Sequence, residues 1–352
     1  MKKLSSKVKN EIVQIIAAIV IALLITLVVL FLTSEEPIYA FNKLLTAPLT
    51  NMRYFGNVLE LMIPLAFAGI SAALLFRSGL FNMGGEGIFY ISGIVATILA
   101  TKQLGNSFVH STIVILGASI FGGLIACISG FFKAKYNANE LVTSLMLNNI
   151  LFGVGFYILK TYLKDMEVTG VASEEFLETA KLQGIIPKTN VTTGFILLIV
   201  VTLIVWLIYK KTKLGYTIKM TGINKEFAKY SGMSFFALTM IVHFMSGFIA
   251  GMGSSVHLMS MYDRFTWSAL PGYGFDGCLV AMLGKDHPIG AFVAAFGLSY
   301  LRTGSDIMAR NTDVPVEMIA IVEMTLVLLI TADFVVKYMK RKKAITGGCT
   351  NE

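Results

Sequence analysis

The fold class this sequence predicts is an all-α, polytopic transmembrane helical bundle of about ten segments, and three observations carry that prediction. Of 352 residues, 55% are hydrophobic and only 14% are charged, against about 25% charged in an average soluble domain. The apolar residues gather in runs close to the roughly 20 residues that a bilayer-spanning helix needs. The 29 lysines and arginines outnumber the 21 acids, for a formal charge of +8. These basic residues collect at the two ends and in short loops between apolar runs, as cytoplasmic loops of membrane proteins do. The positive balance therefore does not call for nucleic acid.

Taken in order, a basic start, MKKLSSKVKNE, leads into an apolar run at 12–32. It lacks a small-residue cleavage site, so it reads as a retained first helix. The second segment is 58–76. A glycine-rich break, RSGLFNMGGEG, spans 77–87 and precedes a short third segment at 88–100. The fourth and fifth are 112–132 and 141–159. A long polar loop covers 160–190, and the sixth segment is 192–209. After a basic stretch at 210–234 comes the seventh, 235–257. An irregular sequence, MYDRFTWSALPGYGFDG, then leads to a short eighth at 278–283. The ninth is 289–301 and the tenth 314–336. The whole reads as one transmembrane domain, 1–352, made of an N-terminal helix (1–33), a first half (56–160), a helix with its cytoplasmic loop (192–234), a second half (235–336) and a basic tail (337–352).

Lysine and arginine placement sets the topology. Lys2, Lys3, Lys7 and Lys9 hold the N-terminus inside, and Lys337, Lys340, Arg341, Lys342 and Lys343 hold the C-terminus inside. An even number of crossings is then required. Ten crossings put Arg77, Lys133, Lys135, the 210–234 loop and Lys285 in the cytoplasm. They put the acid-rich 160–190 loop outside. Cys127 and Cys278 lie in apolar runs and Cys349 in the tail, so no disulfide is expected.

A faint repeat links the two short segments. Gly85-Glu86-Gly87 opens one from the inside, and Phe275-Asp276-Gly277 opens the other from the outside. Short, glycine-interrupted segments at matching positions of two halves point to a transport pathway, while glycines at short helices also serve close packing. The apolar runs are too short to cross alone, so irregular backbone is expected at depth, surrounded by protein or a water-filled cavity. An acid at each helix start suits the positive end of the helix dipole. Glu86 and Asp276 are thus expected to be largely buried and bonded to backbone N–H groups there.

No sequence feature supports an enzyme. The only Gly-Lys pair, Gly284-Lys285, is followed by Asp286 and lacks the spacing of a phosphate-cradling loop. The four histidines are scattered, no cysteine pair has metal spacing, and no G-x-S-x-G turn occurs. No cofactor or metal is expected on this chain. What remains are polar groups at membrane depth. Asn148 and Asn149 are adjacent, so they cannot both face one partner, which leaves at least one for a cavity. His243 and Ser246 suit interhelical hydrogen bonds. Glu323 must be paired, protonated or hydrated. Gly247 and Gly251 form a G-x-x-x-G packing face.

The 210–234 stretch is polar between apolar neighbours. Its end reads as a short helix with Asn224 as N-cap, Glu226 in the first turn and Gly232 as the C-terminal stop. Phe227 and Tyr230, three apart, share a face. Two readings stand: an ordinary positive-inside loop, or a helix that receives force from a cytoplasmic partner.

At four places the chain resembles a known family. FRSGLFNMGGEG (76–87), NELVTSLMLNNI (139–150), GYTIKMTGINKEFAKYSGM (215–233) and GYGFDGCLVAMLGKDHPIG (272–290) are similar, in order, to signatures of bacterial ABC-importer permeases of the simple-sugar and nucleoside branch. The nucleoside type, within the branched-chain amino acid/ribose/nucleoside permease superfamily, is the nearest. Lys219-Met220 stands where that branch usually has Arg-Ala, Asn139 where His is common, and Met83-Gly84-Gly85 for Ile-Gly-Ala. The resemblance implies an ATP-driven importer working by alternating access. Its expected partners are a cytoplasmic ABC ATPase that carries ATP and Mg, a second, non-identical permease, an extracytoplasmic solute-binding lipoprotein and membrane lipid. The expected coupling residues are Gly215, Gly222, Asn224, Glu226, Phe227, Ala228, Tyr230 and Gly232. The expected path residues are Asn82, Glu86, Asn148, Asn149, Phe275 and Asp276; of these Asn82, Asn148, Asn149 and Phe275 suit uncharged nucleosides, which call for amides and aromatics and not a fixed charge. Ribose-like sugars are the alternative substrate. An ion-coupled secondary transporter is the competing class, and Glu323 is its one strong carboxylate candidate.

Overall fold

A computed structural model describes residues 23–314. Glu323, the tenth segment beyond Val314 and the basic tail lie outside the described residues, as does much of the first segment. The described residues are overwhelmingly helical, with two isolated β-bridges, Lys164 to Ser173 and Gly184 to Thr192, in the long polar loop. Among the described residues, five helices are long and apolar enough to cross a membrane, or six if one bent pair counts as a span. The chain is a multi-pass, all-helical membrane protein.

It divides into two compact units. One holds Phe55–Ser299, and the other combines Met1–Tyr54 with Tyr300–Glu352. In the latter, α1 (Leu23–Thr33) is followed by α2 (Pro37–Thr50), which starts on a proline. Proline suits a first helical turn, where its missing N–H leaves no bond unmade. The Tyr300 hydroxyl bonds the Leu45 carbonyl, and Ser34 and the Glu35 N–H both bond Asp313, each at 2.7 Å.

The larger unit begins with α3 (Met52–Arg77), most of whose residues beyond Gly56 are buried, with an unbroken buried run from Met62 to Leu75. A helix apolar on every side belongs in the middle of a bundle. Residues 78–84 are non-helical, and α4 (Gly85–Ala100) follows. Next come α5 (Ser107–Tyr136) and α6 (Glu140–Ile158), which ends in a π-helical turn at Leu159–Leu163. α7 (Gly194–Lys211), α8 (Lys213–Ile223) and α9 (Lys225–Tyr230) lead to α10 (Phe235–Met261). α11 (Tyr273–Leu283) and α12 (Pro288–Asn311) meet at a bend of 117°.

Side-chain size explains the tightest packing. A Cβ added at Gly247 would fall 2.5 Å from the Ala126 Cβ and 2.9 Å from the Gly122 carbonyl carbon, and one added at Gly251 would fall 2.5 Å from the Ala118 carbonyl oxygen. Glycines at 247 and 251 thus let α10 lie against the backbone of α5, as the G-x-x-x-G spacing leads one to expect. On the other side, Ser71 of α3 donates to the Ser246 carbonyl at 2.8 Å, and the two hydroxyls lie 2.9 Å apart.

Two helices were not read from the sequence. α2 lies between the first two predicted segments, and α8 lies inside the basic stretch. Neither is a long apolar run, so hydropathy alone does not reveal them.

Candidate functional site

The site grows out of the two broken segments. Glu86 is the second residue of α4 and is fully buried. Its carboxylate serves the other broken helix. Oε1 accepts the Gly272 N–H at 2.5 Å, and Oε2 accepts those of Gly274 at 2.6 Å and Phe275 at 3.2 Å. These are the orphan donors at the start of α11, where no preceding turn supplies a carbonyl. A carboxylate there gains from charge-assisted bonds and from the helix dipole. Gly272 enters the helix at φ 88°, a conformation glycine adopts at no steric cost. A Cβ at Gly274 would fall 2.5 Å from the Gly85 carbonyl carbon, so only glycine brings the two helix starts this close.

The last residue of α4, Ala100, accepts the Leu177 N–H of the long polar loop at 3.1 Å. Beyond the far end of α11, Asp286 and His287 lie within electrostatic reach of Arg77. Along α11, a Cβ at Gly277 would fall 2.6 Å from the Ala68 carbonyl carbon, which seats the helix against α3. Asp276 is partly buried in the first turn of α11, and Phe275 is 40% exposed.

The amides are divided by role. Asn82 is buried in the 78–84 break. Its Oδ1 accepts the Gly84 N–H at 2.6 Å, and its Nδ2 donates to Ser129 at 2.8 Å. Asn148 of α6 is buried too, and it braces the start of α4. Its Oδ1 accepts the Gly87 N–H and its Nδ2 donates to the Met83 carbonyl, each at 2.9 Å. Asn149 points elsewhere. It is exposed on α6, and its Nδ2 bonds the Leu145 carbonyl one turn back at 3.1 Å. A cavity beside Gly85 and Gly274 is lined by Ser71, Asn82, His243 and Ser246 among small apolar groups. Asn148 does not line it, and Asn82 does.

The basic stretch forms α8 and α9. Thr212 caps α8 by accepting the Gly215 N–H at 3.1 Å, and Gly215 lies against the end of α7, where a Cβ would fall 2.6 Å from the Tyr209 Cα. Asn224 caps α9 by accepting the Phe227 N–H at 3.0 Å. Gly232 stops it at φ 78°, and the Met233 N–H reaches back to the Ala228 carbonyl at 3.0 Å. This is the glycine-terminated end that the sequence suggests. Ala228 is buried, while Phe227 is 50% and Tyr230 is 87% exposed, and Glu226 is exposed as well. Gly222 touches the break between α3 and α4: a Cβ there would fall 3.1 Å from the Arg77 carbonyl carbon and 3.2 Å from the Gly79 nitrogen. The polar helices thus bear directly on the turn that leads to Asn82 and Glu86.

Sequence reasoning missed several supports. Ser144 accepts the Met83 N–H at 3.1 Å, Lys133 pairs with the buried Glu140 at 3.0 Å, and Asn190 donates to the buried Glu60 at 3.2 Å. An acid inside an apolar run, as at Glu60, is a signal that a search for charges at depth would find. On the long polar loop, Lys181 pairs with Asp263 at 2.7 Å, and Arg264 with Asp165 and Glu175 at 3.0 and 2.5 Å. Among the described residues, no group of three or more His, Cys, Asp and Glu side chains is placed to hold a metal ion.

Apolar spanning helices, a broken-helix junction around a buried carboxylate and capped polar helices bearing on that junction define a membrane permease, not an enzyme. The chain belongs to the branched-chain amino acid transport system / permease component family, whose model matches residues 54–331. It is similar to the guanosine ABC transporter permease protein NupP of Bacillus subtilis, with 26% identity over 92% of this chain and 94% of the relative. It is also similar to the nucleoside ABC transporter permease protein NupB of Lactococcus lactis, with 28% identity over 97% and 96%. The glucose ABC transporter permease protein TsgB13 of Haloferax volcanii is 25% identical over 92% and 88%.

Proposed function

We propose that this chain is the permease subunit of an ATP-binding-cassette importer for nucleosides, forming the translocation path by alternating access. The observation that carries the reading is the contact of Gly222 with the Arg77–Gly79 turn. A force applied at the exposed Phe227 and Tyr230 passes through α8 into the turn ahead of Asn82, and from there to Glu86 and α11. A cytoplasmic ABC ATPase supplies that force by docking on the segment that contains Gly215, Gly222, Asn224, Glu226, Phe227, Ala228, Tyr230 and Gly232. The names of NupP and NupB support the nucleoside substrate.

In this reading the single domain crosses the membrane ten times, with both termini cytoplasmic. α4 and α11 belong to two halves of inverted topology whose broken helices meet within the bilayer. Asn82, Glu86, Asn148, Asn149, Phe275 and Asp276 form or support the path. Asn149 is exposed on a helix of spanning length, where lipid offers an amide no partner. That face of α6 therefore meets the path or a second, non-identical permease. An extracytoplasmic solute-binding lipoprotein delivers the substrate.

A second reading, a permease for ribose-like sugars, is favoured by the similarity to the glucose permease. Competition separates the two. In cells expressing the complete importer, excess unlabelled adenosine or cytidine should suppress uptake of labelled guanosine, and ribose and glucose should leave it unchanged. Suppression by the sugars alone overturns the nucleoside reading.

A further inference from the structure

We infer that the cavity beside the broken-helix junction is a binding site for one water molecule, which joins His243 of α10 to the α3–α4 break. The starting point is an orphan nitrogen. His243 is fully buried, and its Nδ1 lies 2.8 Å from the Thr239 carbonyl. A carbonyl only accepts, so Nδ1 carries the proton, and Nε2 of the neutral ring is left as an acceptor. No protein atom among the described residues bonds Nε2. A buried polar atom without a partner is destabilising, and groups of this kind are the usual hosts of internal water.

The walls supply what a water needs. His243 lines the cavity together with Asn82, Ser71 and Ser246. Asn82 has two N–H donors on Nδ2, and Ser129 takes one of them, so the second remains to be given. The Ser71–Ser246 pair uses its protons on the Ser246 carbonyl and within the pair, which leaves oxygen lone pairs to accept. A water that donates to His243 Nε2 and to a serine oxygen, and accepts from Asn82 Nδ2, satisfies the orphan nitrogen and makes three bonds. That matches the usual three bonds of a buried water. The cavity volume is about 10 Å³, room for a single water. The other walls, Ala250 and Cys278 among them, are apolar or weakly polar and compete for nothing.

The site lies beside Gly85 and Gly274, where α4 and α11 start. A water bridge links α10 to this junction without a direct side-chain bond, so the two can shift against each other and exchange one partner for another. The assignment is independent of which solute the permease carries.

The test is a double-substitution cycle on the purified full chain, read by thermal unfolding. Ala250→Val adds methyl groups to the cavity wall. If a water satisfies His243, the substitution expels it, and the midpoint falls further in the parent than in a His243→Phe background, which has no nitrogen to satisfy. The expected difference between the two shifts is about 3 °C or more. Equal shifts in the two backgrounds overturn the proposal. If either variant fails to fold, a high-resolution structure of the unmodified protein decides. Density for one water within hydrogen-bond distance of His243 Nε2 supports the site, and a cavity without it overturns the assignment.

Discussion

Glu86 Oε2 accepts the N–H of Gly274 at 2.6 Å, so an acid on one broken helix terminates the backbone of the other. The two residues are 188 positions apart. This contact makes the junction of α4 and α11 a single unit.

The first prediction follows from that unit. Glu86→Ala removes the acceptor of three backbone N–H groups, each of which costs about 1–3 kcal/mol if left buried and unpaired. Uptake should fall at least tenfold, and the protein should be less stable in detergent. Glu86→Gln keeps one carbonyl oxygen and should fall between the two. Measured uptake per unit of inserted protein checks both, and a fully active Glu86→Ala variant would show that the junction does not matter.

The glycines offer a graded steric test. Gly277→Ala drives a Cβ to 2.6 Å from the Ala68 carbonyl carbon, whereas an alanine at Gly153 on α6 meets nothing within 4 Å. Overpacking of a rigid contact costs about 1–3 kcal/mol. Thermal unfolding should show a marked drop for Gly277→Ala and little change for Gly153→Ala.

The adjacent asparagines should separate by phenotype. Asn148→Leu leaves the Gly87 N–H and the Met83 carbonyl without their side-chain partners, so the amount of folded protein should fall. Among the described residues Asn149 bonds only its own helix, so Asn149→Leu should fold normally and lose uptake. Fluorescence-detected chromatography together with uptake measures both, and equal losses of folded protein would contradict the division of roles.

Coupling is tested at α9. Gly232→Pro demands φ near −65° where the backbone holds 78°, and Glu226→Lys reverses a charge in the first turn. Both variants should insert and fail to transport. Asn224→Ala, which loses the cap, should cost about 1 kcal/mol of local stability and weaken coupling less. Stimulation of the ATPase by solute is the readout.

The ion pairs of the long polar loop should be insensitive to pH in the ordinary range. The hydrogen bond from Lys181 holds the Asp263 carboxyl below its usual 3.8, so its contribution is present above that value and fades only as pH falls below it. The bonds to Asp263 and Glu178 raise Lys181 above 10.5, so its contribution is complete below 10.5 and fades as pH rises further. Between pH 5 and 9, about the span in which neither group titrates, Lys181→Ala should shift stability by a constant amount, under about 1 kcal/mol because the pair is exposed. A difference that changes across that window would point to another titrating partner.

How much of this was legible in the sequence depends on how local the cause is. The cap at Asn224, the stop at Gly232 and the glycine breaks before α4 and α11 each depend on a few neighbouring residues, and each could be read directly. So could the 100° between Asn148 and Asn149, though not which of them turns inward. The target of Glu86 could not be read. An acid two residues into a helix points to that helix's own N-terminus, and only the fold brings Gly272 and Gly274 into its place. The Ser71–Ser246 pair and the cavity beside it depend on contacts between helices far apart in sequence. α2 and α8 escaped because neither is a long apolar run: α2 starts on a proline and buries a few residues, and α8 is capped by Thr212.

The measurement that tests the central claim most directly is guanosine uptake into proteoliposomes that hold this permease with an ABC ATPase and the proposed second permease, the proposed solute-binding protein being supplied on the outside. The account predicts saturable uptake that requires ATP, survives an ionophore and is lost in the Gly232→Pro variant. Uptake that proceeds without ATP and collapses with the ion gradient would contradict it.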